Sequence, residues 1–112
     1  MSDCLFCKIA AGEIPADRVY EDDQVVVFRD INPKAEVHLL IIPREHFAGL
    51  NELEPGHDAL IAHIMRLIQP LAVEQGLASG YRTIINTGKD GGQEVFHLHI
   101  HLLGGRDLPG FG

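Results

Sequence analysis

The sequence predicts an α+β fold in a single domain, residues 1–112: a five-stranded antiparallel sheet with a short N-terminal helix and one long helix. Three observations carry this expectation. Val25-Val26-Val27-Phe28 and the nearly all-apolar run Val37 to Pro43 read as strands buried on both faces. A single stretch, Pro55 to Gly76, spaces its apolar residues as a long helix does. The strand-like segments follow one another through short turns, which implies antiparallel pairing in place of a βαβ alternation.

Taken in order, Asp3 is the expected N-cap of a short helix from Cys4 to about Ala11, with Gly12 past its end. Arg18–Glu21 and Gln24–Arg29 read as strands joined at the acidic turn Asp22-Asp23. Asp30-Ile31-Asn32-Pro33 is a turn, since Pro33 fixes its own φ and drives Asn32 out of helical space. Val37–Pro43 is the third strand. Pro55 is a favourable first residue for the long helix, and Ala59, Leu60, Ile61, Ile64, Leu67, Ile68 and Leu71 follow at helical spacing. Pro70 is expected to kink or end that helix near Leu71. Tyr81–Thr87 and Val95–Leu103 complete the sheet, separated by the loop Gly88-Lys89-Asp90-Gly91-Gly92-Gln93.

Composition narrows the function. The chain has 112 residues, 46% hydrophobic and 22% charged, which excludes wholesale disorder. Nine basic against sixteen acidic residues, a formal charge of −7, argue against a protein that grips nucleic-acid backbone. No apolar stretch approaches the roughly 20 residues of a membrane helix, and Met1-Ser2-Asp3-Cys4 does not open a secretory signal. The expected setting is the cytoplasm, with no membrane and no nucleic-acid partner. There, Cys4-x-x-Cys7 reads as a redox motif, half of a zinc site, or two small buried thiols.

Histidine is the unusual residue: seven in the chain, three within five positions. In a strand His97, His99 and His101 share one face, about 6.6 Å apart, while Phe96, Leu98, Ile100 and Leu102 line the other and enter the core. Three imidazoles in a straight row suit one metal ion poorly, because the ends lie about 13 Å apart and zinc wants ligands near 2 Å. They suit covalent chemistry better, with one ring attacking and its neighbours fixing tautomer and meeting developing charge. The glycine-rich turn ahead of them can aim N–H groups at an anion, which together with the histidines suggests a phosphate.

Residues 97–103 carry the His-x-His-x-His-x-x signature, and the chain resembles the histidine triad family, most closely its Hint-like branch. Gly91-Gly92-Gln93, Val95-Phe96 and Leu103-Gly104-Gly105-Arg106 flank the signature as in that branch. Phe6, Lys8-Ile9, Glu13-Ile14-Pro15, Tyr20-Glu21-Asp22, Phe28, Asp30-Ile31, Pro33, His38 and Ile42-Pro43 extend the match across residues 4 to about 106.

The resemblance implies a homodimer whose sheets join into one ten-stranded sheet, and a hydrolase acting on purine nucleoside monophosphate (AMP-type) derivatives such as phosphoramidates or aminoacyl-adenylates. Carried over, His99 is the nucleophile, His101 contacts the phosphate and protonates the leaving amine, and His38 orients or relays protons; His97 is counted with the catalytic group in some members. Asp30 matches the carboxylate that holds the ribose hydroxyls. Phe6, Ile9, Ile14, Phe28 and Ile31 match the apolar base slot. Asn86 and the loop Gly92, Gln93, Glu94 and Val95 match the phosphate side. Glu94 stands where the family often has Ser or Thr, which removes a hydroxyl donor there. Retention of His101, where transferase relatives carry Gln, favours hydrolysis over transfer. Asp107–Gly112 is short and Gly-rich, so the substrate contacts a longer C-terminus makes in relatives are not carried over to it. Cys4, Cys7, His46 and His97 resemble the structural zinc ligands of some bacterial members; the chemistry itself needs no cofactor. His57 and His63 carry no assigned role. The competing readings are a non-catalytic nucleotide- or partner-binding regulator and a zinc-stapled interaction protein.

Overall fold

A computed structural model describes residues 3–110; the outermost residues of the expected domain, Met1, Ser2, Phe111 and Gly112, lie outside the described residues. The elements are α1 (Leu5–Ala10), β1 (Arg18–Glu21), β2 (Val25–Arg29), β3 (Val37–Pro43), α2 (Asp58–Glu74), β4 (Arg82–Ile84) and β5 (Ile100–Gly104). The five strands form one antiparallel sheet in the order β1-β2-β3-β5-β4. The expected α+β class and element order are observed.

The sheet has a core on each face, which is why β2 and β3 are apolar at consecutive positions. Val25, Val27, Leu39, Ile41, Ile100 and Leu102 face α2, whose Leu60, Ile64, Ile68 and Leu71 return at helical spacing. Val26, Phe28, Leu40 and Ile42 face the opposite way, onto Phe6, Ile9 and Ala10 of α1. Successive residues of a strand thus serve two different layers. The site lies on the α1 side.

Several local expectations are corrected. Cys4, not Asp3, caps α1: its Sγ accepts the Cys7 N–H at 3.3 Å. The last strand begins at Ile100, not Val95, because residues 95–97 bend and the Leu98 N–H bonds to the Phe47 carbonyl at 2.8 Å instead of joining the ladder. The bend turns Phe96 outward, 49% exposed, so it leaves the expected core face while Leu98 keeps its place. Nor is the histidine face of this segment open, since His97 and His99 are both buried. The strand expected over Tyr81–Thr87 shortens to Arg82–Ile84, because Ile84 pairs with His101 and β5 offers almost nothing beyond it. A 3₁₀ turn at Pro55–His57 leads into α2, which runs past Pro70 to Glu74. Pro70 and Arg66, whose carbonyl loses its i+4 donor, are both solvent-exposed, so water can satisfy that group.

The two histidines without an assigned role are structural. His57 stacks on Phe47 at 4.3 Å between ring centroids. His63 on α2 meets Asp22 Oδ2 at 2.7 Å, and Tyr20 donates to the same oxygen at 2.7 Å, tying the helix to the β1–β2 turn. Burial opposes charge on Asp22, but hydrogen bonds from Tyr20, the Gln24 N–H, His63 and the Val25 N–H hold its pKa down to about 2.

Candidate active site

A cavity of about 1040 Å³ opens on the α1 face of the sheet. Phe6, Ile9, Ile14, Phe28, Asp30, Ile31, His38, Asn86, Gly92, Glu94, Val95, His99 and His101 all line it. Ile31 stands at its mouth, 90% exposed. Sequence reasoning missed other lining residues, among them Leu5, Asp17, Asn32, Lys34 and Pro109, which carry no motif and reach the cavity through the fold.

The imidazole tautomers follow from their fixed partners. His99 Nδ1 lies 2.8 Å from the His97 carbonyl oxygen, which can only accept, so Nδ1 carries the proton and Nε2 presents a lone pair. The Lys34 N–H donates to His38 Nδ1 at 3.0 Å, so a neutral His38 carries its proton on Nε2. That Nε2–H faces His101 Nδ1 at 2.9 Å, which leaves the His101 proton on its own Nε2. The His99 and His101 rings are 5.1 Å apart and edge-on. A lone pair and an N–H donor therefore stand side by side, one set by a backbone carbonyl and the other by a two-ring relay starting at a backbone amide. Asp30 Oδ2 lies 3.4 Å from His38 Nε2, and Asp30 Oδ1 accepts the Asn32 N–H at 2.8 Å. Asp30, His38 and His101 lie close enough to share a cation, but their hydrogen bonds already account for the arrangement.

Burial pushes His101 down to about 4, reinforced by His99 and His38, and burial likewise lowers His38. Between the folded value and the ordinary 6.5 the unfolded chain binds a proton that the folded chain refuses. The histidine contribution to stability is therefore expected to fall as pH drops from 6.5 towards 4, with the loss of the Asp22 contribution following as pH drops from 3.8 towards 2. His101 alone contributes as much as about 3 kcal/mol. Urea unfolding at pH 7 and pH 4.5 checks this, and His101→Gln should reduce the difference, leaving the part that His38 contributes.

The glycine-rich loop is braced from within. The N–H groups of Gly91, Gly92 and Gln93 bond to the carbonyls of Gly88, Lys89 and Gly88, so the glycines do not form the open anion nest the sequence suggested. Among the described residues no acceptor takes the N–H groups of Glu94 and Val95, two residues that line the cavity. Gln93 does not line the cavity; its amide accepts the Gly88 N–H and donates to the carbonyls of Ala48 and Val95. Asn86 donates to the Gly91 carbonyl at 2.8 Å. Gly91 is obligatory, because a Cβ there would sit 2.3 Å from the Thr87 carbonyl oxygen.

His97 separates from the other two. It is fully buried, and its Nε2–H donates to the Pro43 carbonyl at 2.8 Å. Its Nδ1 lone pair meets Cys4 Sγ at 3.3 Å, Cys7 Sγ at 3.6 Å and His46 Nδ1 at 3.1 Å, and Cys7 Sγ lies 3.4 Å from His46 Nδ1. A tetrahedral zinc with bonds of about 2.0–2.3 Å has ligand–ligand edges of about 3.3–3.8 Å. Three of the four separations lie in that range and the fourth, His46 to His97, is 3.1 Å, so small shifts would let the four donors hold such a cation, with the Pro43 carbonyl fixing the His97 nitrogen that would ligate.

Residues 11–108 match the family model described as "HIT domain". Protein HitA of Neisseria gonorrhoeae is 55% identical over 104 residues, covering 93% of this chain and 97% of HitA. Purine nucleoside phosphoramidase of Escherichia coli K12 is 46% identical over 105 residues, covering 93% and 88%. Among solved structures, a HIT family hydrolase from Legionella pneumophila superposes with TM-score 0.93 at 50% identity, covering 96% of this chain and 97% of that one. A Zn-bound histidine triad family protein from Mycobacterium smegmatis superposes with TM-score 0.82 at 35% identity, covering 97% and 81%.

Proposed function

The chain belongs to the HIT domain family, and on that premise we propose that it hydrolyses the P–N or acyl–phosphate bond of purine nucleoside 5′-monophosphate derivatives through a nucleotidyl-histidine intermediate. The observation that carries the reading is the pairing of a His99 Nε2 lone pair with a His101 Nε2–H donor on one cavity wall. The name of the phosphoramidase relative from Escherichia coli supports the same substrate class.

The base lies in the slot formed by Phe6, Ile9, Ile14 and Phe28, and Asp30 accepts the ribose hydroxyls. The N–H groups of Glu94 and Val95 face the phosphate oxygens. His99 Nε2 attacks the α-phosphorus while its Nδ1–H stays on the His97 carbonyl, which stabilises the charge the ring gains. The entering phosphate favours protonation of His101, whose pKa burial otherwise depresses. As the P–N bond breaks, that proton goes to the departing nitrogen, so a neutral amine leaves. Asp30 is the acceptor available to the His38 N–H while His101 holds the extra proton. Water then attacks phosphorus, the P–N(His99) bond breaks, and the water proton returns to His101. The nucleoside monophosphate departs and no cofactor takes part.

Cys4, Cys7, His46 and His97 hold a structural zinc on this reading, which the Zn-bound relative supports. His97 then serves the metal and touches no substrate. The protein is a homodimer joined through its sheet, at whose edges β1 and β4 lie among the described residues. Its setting is the cytoplasm, where both thiols stay reduced. The test is release of amine from an adenosine phosphoramidate by purified protein. Turnover is expected; AMP binding without turnover would favour a non-catalytic nucleotide-binding protein instead.

A further inference from the structure

His97 touches two centres through different atoms. Its Nδ1 joins Cys4, Cys7 and His46, and its main-chain carbonyl holds the Nδ1–H of His99. Phe6 is a second bridge. It lies between the two cysteines in sequence, meets the His97 ring edge-on at 6.0 Å and the His99 ring at 5.1 Å, and lines the cavity. One wall of the base slot and the tautomer of the nucleophile therefore rest on residues that belong to, or adjoin, the four-donor cluster.

Resting on the structural-metal reading, we propose that a cation held by Cys4, Cys7, His46 and His97 governs the nucleotide site, so that metal and nucleoside monophosphate bind cooperatively. The cation fixes His97 from the Nδ1 side as Pro43 does from the Nε2 side. The ring and the backbone that carries it then have one position, and the His97 carbonyl stays where it selects the Nδ1–H form of His99. Without the cation the His97 Nδ1 lone pair faces two weak thiol donors and the exposed His46 ring, which no longer share one centre, and α1, with Phe6, loses the metal link to the sheet through that ring. His97 is accordingly a positioning residue for the reaction: it acts through His99 and not on substrate. Coupling of this kind is reciprocal, so AMP tightens metal by the factor by which metal tightens AMP.

The test compares AMP affinity of zinc-loaded and chelator-stripped protein by calorimetry, with circular dichroism confirming that the stripped chain stays folded. Stripping is expected to weaken AMP about tenfold or more, and zinc should restore it. ¹⁵N spectra of the histidines should show His99 as the Nδ1–H tautomer in loaded protein and as a mixture in stripped protein. Equal AMP affinity in the two folded forms, within twofold, overturns the proposal. Where stripping unfolds the chain, cobalt(II)-loaded protein decides. Visible bands of the tetrahedral site that shift as AMP saturates support the coupling, and bands that do not move overturn it. A chain that takes up neither zinc nor cobalt overturns the metal reading and the coupling together. A chain that binds metal but no AMP overturns the nucleotide reading and cooperative binding, and the His99 tautomer then decides whether the metal positions that ring.

Discussion

His99→Ala is expected to lower kcat/KM for an adenosine phosphoramidate by about 10⁴-fold or more, the scale seen when a covalent nucleophile is removed. AMP affinity should stay within a few-fold. The two expectations separate because the groups are separate. On the proposed reading, binding rests on Phe6, Ile9, Ile14 and Phe28 around the base, Asp30 at the ribose, and His101 with the Glu94 and Val95 amides at the phosphate. Bond cleavage, on the same reading, rests on one lone pair, His99 Nε2, made available because Nδ1–H is fixed on the His97 carbonyl at 2.8 Å. Steady-state kinetics beside calorimetric AMP binding measures both. A variant with near-wild-type turnover would remove His99 from the chemistry, and one that loses AMP as completely as turnover would make it a binding residue.

Metal removal is expected to have the next largest effect. At free zinc a thousandfold above Kd, a site present only in the folded chain stabilises it by about 4 kcal/mol. For a domain near 100 residues that corresponds to a melting temperature about 15 °C lower after chelation. The chain should still fold, since the buried residues of the cores on both faces of the sheet lie outside the cluster, of which Cys4 packs against the α1-side core. Cys4→Ser should bring zinc content below one per chain, because Cys4 supplies a donor 3.3 Å from His97 Nδ1 and also caps α1. Scanning calorimetry with and without chelator, beside elemental analysis, tests this. An unchanged melting temperature, or one zinc per Cys4→Ser chain, would contradict the ligand set.

How far the sequence could be read depended on whether a feature was set by side chains or by backbone. β2 and β3 were legible because continuous apolar runs have few other uses, and both cores confirm why. The histidine signature located the cavity, and resemblance supplied the base-slot and ribose residues, all of which line it except Gln93 among the nucleotide-side set. Alternation alone misread residues 95–99. It predicted a strand, whereas a bend and a bond to the Phe47 carbonyl set the conformation, and neither has a side-chain pattern. The groups that set the tautomers were illegible for the same reason: the Lys34 amide and the His97 and Pro43 carbonyls could belong to any residue type. Resemblance places Gln93 on the phosphate side, whereas its side-chain amide braces the loop and lies outside the cavity lining. His63 looked idle in sequence because its partner Asp22 lies 41 positions away.

The central claim is that His99 carries the nucleotide during turnover. Rapid quenching of a slow purine phosphoramidate reaction, under conditions that preserve phosphorus–nitrogen bonds, followed by peptide mass analysis, tests it most directly. The expected result is a nucleoside monophosphate attached to the peptide that contains His99, at His99 itself. A nucleotide found on any other residue, or no adduct while His99→Ala still turns the substrate over, would contradict it.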